Sequence, residues 1–246
     1  MLLSIQWYPP AWVQIKTINH VIYIDPSYLK KYYLDHPPKV EFSTWPDEID
    51  GLPNANMETG DLVLITHQHK DHVKKVTLDR ITDENTVILA SEKVKDMIGD
   101  EVRTVSPVDN LEIHNVKIKV TNAYNTPEGS STRKLHHPGD GVGYLLEIDG
   151  YKIYHAGDTD LIPEMDDLGP VDVAFLPIGG TYTMNIDEAV DATLKIKPSL
   201  VIPIHHLNAD PHEFARKLRG KNIKIRILDI GEVLILGECF FNWKKI

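Results

Sequence analysis

A single cysteine, Cys239, is all that the 246 residues contain, so neither an internal disulfide nor a thiolate-rich zinc cluster can form. Any metal must be held by nitrogen and oxygen ligands. Long hydrophobic runs are also scarce. The most apolar stretches, Val171 to Ile178 and Val233 to Leu236, fall far short of the roughly 20 residues that a membrane-spanning helix needs. Met1, Leu2 and Leu3 give way at once to polar and proline residues, without the charged and apolar regions of a signal peptide, and the cytosol is the expected compartment. Basic residues are outnumbered: 26 Lys and Arg against 36 Asp and Glu leave a net charge of -10. That balance disfavours a broad polyanion-binding face, because nucleic-acid affinity draws on basic side chains that neutralise phosphates.

What is present is an ordinary apolar fraction on a chain long enough to bury a substantial core, and one domain over residues 1–246 is expected. Short runs rich in β-branched residues alternate with turn signals: His20 to Ile24, Leu62 to Thr66, Val87 to Ala90, Val116 to Val120 and Tyr144 to Ile148. Further strands are expected at Lys152 to Tyr154, Val171 to Leu176, Leu200 to Ile204, Ile223 to Ile227 and Val233 to Leu236. Two helix starts carry capping boxes, Asn185 with Glu188 and Asp210 with Pro211 and Glu213. Shorter helices are expected after His72 and Ser91, and the mixture points to α/β layers. The stretch Pro26 to Gly60 holds Tyr28, Tyr32, Tyr33, Phe42 and Trp45 among prolines and charges. It reads either as a lid or as an aromatic-pinned insertion or subunit contact, the last implying a homo-oligomer.

The chemistry concentrates in Thr66-His67-Gln68-His69-Lys70-Asp71-His72, directly after the apolar run Leu62 to Ile65. Alternate residues of a strand point to one side, so His67 and His69 can face the same way while Asp71 and His72 follow where the chain bends into a helix. Imidazole suits zinc and iron and carboxylate accepts harder ions. A polar turn with capping histidines is the plainer reading, but so dense a set of ligands favours metal binding.

The run His67, His69, Asp71, His72 matches the H-x-H-x-D-H signature and thereby resembles the metallo-β-lactamase superfamily; later segments resemble its ascorbate-phosphate-lactonase-like and N-acyl-phosphatidylethanolamine-phospholipase-D-like hydrolases. The resemblance implies an α/β fold, a four-layer αββα sandwich, with a metal site along one edge of the sheets. It implies that Asp158, in Tyr154-His155-Ala156-Gly157-Asp158-Thr159-Asp160, bridges two metals, and that His205, ending the run Leu200 to Ile204, is the last ligand. His206 is the adjacent alternative, but strand alternation sends it to the opposite face. Many relatives place another histidine where this chain has Asn125. Leu135-His136-His137-Pro138 resembles a subgroup in which a histidine before proline takes that place. His137 is therefore expected, with His136 or a water as the alternatives.

The implied site assigns His67, His69 and His137 to one ion, Asp71, His72 and His205 to the other, and Asp158 to both. Asp71 also orients the attacking hydroxide, as the catalytic residue. The expected cofactors are two divalent metal ions, zinc first, with Mn2+, Fe2+ or Ni2+ as alternatives. Such a pair lowers the pKa of a shared water and polarises a carbonyl or phosphoryl oxygen. The expected activity is hydrolysis of a small-molecule ester, lactone or phosphodiester. Arg133 and Lys134, just before His137, could meet an anionic group on it, and Tyr182 could line the pocket. A metal-binding protein of the same fold with little catalysis is the main alternative, and RNA cleavage ranks below it.

Overall fold

The computed structural model describes residues 2–29 and 57–237. Most of the aromatic stretch 26–60, with Tyr32, Tyr33, Phe42 and Trp45, lies outside the described residues, as does Cys239; Tyr28 is described and fully buried. In chain order the strands begin with β1 (Leu3–Tyr8), β2 (Trp12–Lys16), β3 (Val21–Ile24), β4 (Leu62–Leu64), β5 (Val87–Ala90) and β6 (Val102–Thr104). They continue with β7 (Asn110–Ile113), β8 (Val116–Ala123), β9 (Gly141–Ile148), β10 (Tyr151–His155), β11 (Val173–Pro177), β12 (Leu200–Ile204), β13 (Lys224–Ile225) and β14 (Val233–Leu236). Among the described residues the α-helices are α1 (Lys75–Ile81), α2 (Glu92–Ile98), α3 (Ile186–Ile196) and α4 (Pro211–Lys217), with a 3-10 turn over Pro163–Leu168. The chain divides into two compact units: Met1–Ala90, Val94–Arg103 and Leu228–Ile246 in the first, Ser91–Lys93 and Thr104–Ile227 in the second.

The first unit is built on a seven-stranded sheet in the order β14-β1-β2-β3-β4-β5-β6. β1 and β2 form a hairpin, Tyr8 opposite Trp12; in the sequence Pro9-Pro10 and a cluster of aromatics obscure its alternation. β3, β4 and β5 run parallel and are buried almost throughout, as expected of strands covered on both faces. Tyr8, Trp12, Tyr23, Val63 and Ile65 pack with Leu78 and Ile81 of α1, each worth about 1.5–3 kcal/mol of apolar burial.

The second unit carries another seven-stranded sheet, β13-β12-β11-β10-β9-β8-β7. β10, β11, β12 and β13 are parallel, and β8, β9 and β10 antiparallel. α3 buries Ala189, Ala192 and Ile196, a helical stripe, against Leu176, Val201, Phe214 and Leu218.

Both predicted helix starts form, with modified caps. The Asn185 side chain accepts from Glu188 N at 2.9 Å, but the Glu188 carboxylate does not reach back to Asn185. Instead Ser130 relays the box: its Oγ accepts from Asn185 N at 2.8 Å and donates to Glu188. At α4 the Asp210 carboxylate accepts from His212 N at 2.8 Å rather than from Glu213 N, one position earlier than the box pattern requires.

Candidate metal centre

In the first unit the parallel pairing of β3 with β4, Ile24 opposite Leu64, brings the residues after both strands together. Asp25 N donates to Leu64 O at 2.9 Å, and the Asp25 carboxylate, fully buried, meets Thr66. Thr66 N donates to Oδ1 and Thr66 Oγ1 to Oδ2, both at 2.7 Å. Asp25 holds this place with φ 47°, a left-handed conformation that aspartate tolerates better than most residues.

The Thr66 hydroxyl spends its one proton on Asp25, so towards His67 Nδ1, 2.9 Å away, it acts as acceptor. His67 therefore carries its proton on Nδ1, and Nε2 is the nitrogen that could ligate a metal. His72 Nδ1 lies 2.7 Å from Asp25 Oδ2, the carboxylate–imidazole arrangement that orients metal-bound histidines. His67 Nε2 and His69 Nδ1 stand 3.0 Å apart. Two nitrogens on one tetrahedral ion are separated by roughly 3.3 Å, given bonds of about 2.0–2.1 Å, so this spacing suits a shared cation. Asp71 and His72 offer ligand atoms within 4.8 Å of each other. β4 ends at Leu64, so His67 to His72 occupy a turn, closed by His72 N to His69 O at 2.9 Å, rather than an extension of the strand.

In the second unit the loops that follow β8, β10, β11 and β12 leave the same edge of the sheet, the carboxyl ends of its parallel strands, where open α/β sheets place ligands. Asp158 follows β10, and His205, fully buried with φ 48°, follows β12. His205 Nε2 lies 3.4 Å and His136 Nε2 3.6 Å from Asp158 Oδ2, again the edge length expected of ligands around a cation. His206 turns away: its Nε2 donates to Pro203 O at 2.8 Å. Burial pushes its pKa below the ordinary imidazole range. His155, at the end of β10, accepts Gly157 N on Nδ1 at 3.2 Å and so serves the turn.

The ring beside Asp158 belongs to His136, not His137. His136 is 3 % exposed, whereas His137 points to solvent. The Asn125 side chain accepts from His136 N at 3.0 Å and Asn125 N donates to His136 O at 2.7 Å. This bracket turns His136 inward and its neighbour outward. Lys134 is likewise committed. Its Nζ donates to Gly129 O at 2.7 Å, Ser131 Oγ at 2.9 Å and Asp160 Oδ2 at 2.9 Å, exhausting the three donors of an ammonium. Glycine is required at 129, since a Cβ there would collide with the Asp160 carboxylate. Arg133 remains exposed, its Nη1 3.4 Å from the Tyr182 hydroxyl and its guanidinium 5.8 Å from the centre of that ring.

Asp25, Thr66 and Asn125 were missed as supporting residues. The signal for Asp25 was its place at the end of a strand whose parallel neighbour leads into the histidines. From the sequence, Asn125 reads only as a missing ligand.

The donor set among the described residues, imidazoles and carboxylates, fits divalent zinc-like ions in both units. Comparison with known proteins supports metal dependence. A model of the beta-lactamase superfamily domain matches residues 4–205. A metal-dependent hydrolase of the UPF0173 group from Thermococcus onnurineus is 38% identical over 190 residues, covering 72% of this chain and 82% of its own. Its counterpart from Pyrococcus abyssi is 33% identical over 239 residues, covering 91% of this chain and 100% of its own. The crystal structure of a metal-dependent hydrolase from Parabacteroides distasonis superposes with a TM-score of 0.77 at 29% identity, covering 92% of each chain. The two mixed sheets with their helices are thus those of the metallo-β-lactamase fold, and the chain belongs to the metallo-β-lactamase superfamily as a metal-dependent hydrolase of the UPF0173 group.

Proposed function

We propose that the donors of the two units serve one pair of divalent ions and that the protein hydrolyses a small ester, lactone or phosphodiester. His67, His69 and His136 are assigned to one ion, Asp71, His72 and His205 to the other, and Asp158 to both. The observation that carries this reading is the alignment of tautomers and spacings. His67 and His72 are locked through Nδ1 by Thr66 and Asp25, and Asp158 Oδ2 stands at ligand spacing from His136 and His205. The first unit brings four donors and the second three, and neither set alone completes two four-coordinate ions. The family match across residues 4–205 spans both units and supports reading them as one hydrolase domain.

Bound there, the ions would lower the pKa of a water towards neutrality and polarise the substrate's carbonyl or phosphoryl oxygen. The chain's own residues supply the rest. The half-buried Asp71 carboxylate accepts a proton from the attacking water and orients it. Asp25 holds the His72 ring in place. Exposed Arg133, backed by Tyr182, offers a guanidinium to an anionic group of the substrate, a part that Lys134 cannot share.

Elemental analysis of the wild type, His136→Ala and His137→Ala, with a lactone, ester and phosphodiester panel, tests the proposal. About two ions per wild-type chain, one of them lost with activity in His136→Ala and retained in His137→Ala, is the expected result. Full metal content in His136→Ala, or an active wild type holding a single ion, would overturn it.

A further inference from the structure

We infer that Asn125 is a positioning residue of the metal centre: it brackets His136 and the carbonyl of Tyr182, and thereby sets both the direction and the tautomer of the His136 ring. The inference rests on the proposed role of His136 as a ligand. Asn125 is 8 % exposed, and both ends of its amide are used. Oδ1 accepts from His136 N at 3.0 Å, and Nδ2 donates to Tyr182 O at 2.8 Å. Its own backbone N donates to His136 O at 2.7 Å, so the side chain and backbone of one residue grip the backbone of the other on both sides.

Tyr182 O also takes the His136 ring, through Nδ1 at 3.2 Å. A carbonyl oxygen only accepts, so His136 donates from Nδ1 and presents the lone pair of Nε2. That lone pair faces Asp158 Oδ2 across 3.6 Å, an arrangement that a cation between them satisfies. The two lone pairs of Tyr182 O are thereby both used, one by the ring and one by the residue that aligns its backbone. A backbone carbonyl that fixes a ligand's second nitrogen is a recognised way of tuning a metal site, and losing such a partner costs about 10- to 100-fold in affinity. Asparagine suits the place: it needs an acceptor and a donor on neighbouring arms, aspartate has no donor, and alanine has neither. With both arms engaged in this bracket, the Asn125 amide is a support for the ligand and not a substitute for it.

The test uses the full chain as Asn125→Ala, Asn125→Asp and His136→Ala. Zinc affinity is measured by competition with a chromophoric chelator, the visible absorption of the Co2+-loaded protein is recorded, and so is the thermal midpoint of the metal-free form. The expected result for Asn125→Ala is a 10- to 100-fold loss in affinity for one ion and a changed Co2+ spectrum, with the metal-free midpoint lowered by the loss of two buried hydrogen bonds. Asn125→Asp, which keeps the acceptor, should lose about tenfold. Wild-type affinity and spectrum in Asn125→Ala, even with a lowered midpoint, would make Asn125 structural only and overturn the inference, while loss of the ion in His136→Ala would leave the ligand reading standing. Wild-type affinity in His136→Ala would overturn that reading itself. Should Asn125→Ala not fold, Asn125→Asp decides by the same comparison.

Discussion

His72 Nδ1 lies 2.7 Å from Asp25 Oδ2, with both side chains fully buried. The pair links the loop after β3 to the histidine turn 47 positions further along the chain. Asp25→Asn keeps the shape and tolerates the left-handed backbone, but gives up the charge and turns an N–H towards one of the donors Thr66 and His72. Metal affinity is expected to fall about 10- to 100-fold with the fold retained. Competition titration against a chelator measures this, and an unchanged affinity would show that Asp25 does not tune His72.

Lys134→Met leaves Asp160, whose side chain is fully buried, with hydroxyl and backbone donors but no cation. Removing one partner of a buried pair typically costs several kcal/mol; about 3 kcal/mol is expected here, because the lysine is 34% exposed. Urea unfolding gives the figure. A loss under about 1 kcal/mol would mean that Ser131 and the backbone suffice for the carboxylate.

Arg133→Ala should raise KM about tenfold for anionic substrates, in line with the loss of one charge-assisted hydrogen bond, and leave matched neutral substrates unaffected. Paired kinetics on a carboxylated ester and its neutral analogue separate the cases. Equal effects on both would remove the guanidinium from substrate recognition.

Alkaline pH supplies a check on the core. Burial pushes the Tyr8 pKa up to about 12 from its ordinary 10.0, and burial raises that of Tyr154 as well. A raised folded-state pKa means that the native form holds its proton longer than the unfolded chain, so the stability is intact below pH about 10 and falls as pH climbs towards the folded value. The decline should be about 1.4 kcal/mol per pH unit for each such tyrosine. Urea midpoints from pH 9 to 11, with phenolate absorbance at 295 nm, would reveal it. Urea midpoints that do not fall over this range would contradict the burial.

The strands of β-branched residues, both helix starts and the H-x-H-x-D-H run were legible because each is written in contiguous residues. Asp158 and His205, singled out through the resemblance, lie 3.4 Å apart. What stayed hidden depends on residues far apart in sequence. Asp25 and Thr66 meet only because β3 and β4 run parallel. The choice between His136 and His137 follows from Asn125, eleven positions away, whereas strand or loop periodicity treats the two as equivalent neighbours. The Ser130 relay was invisible for the same reason: a capping box looks complete within four residues, yet here its link runs through a loop 55 positions earlier.

That relay has a mechanical consequence. The segment from Asn125 to His136 is fastened to the start of α3 by Ser130, to buried Asp160 by Ser131 and Lys134, and to the Gly180 to Tyr182 turn by Thr132, Arg133 and Asn125. Opening it would break these bonds together, so it does not serve as a flap. Its backbone amides should exchange with deuterium at rates nearer those of the sheet than those of a surface loop.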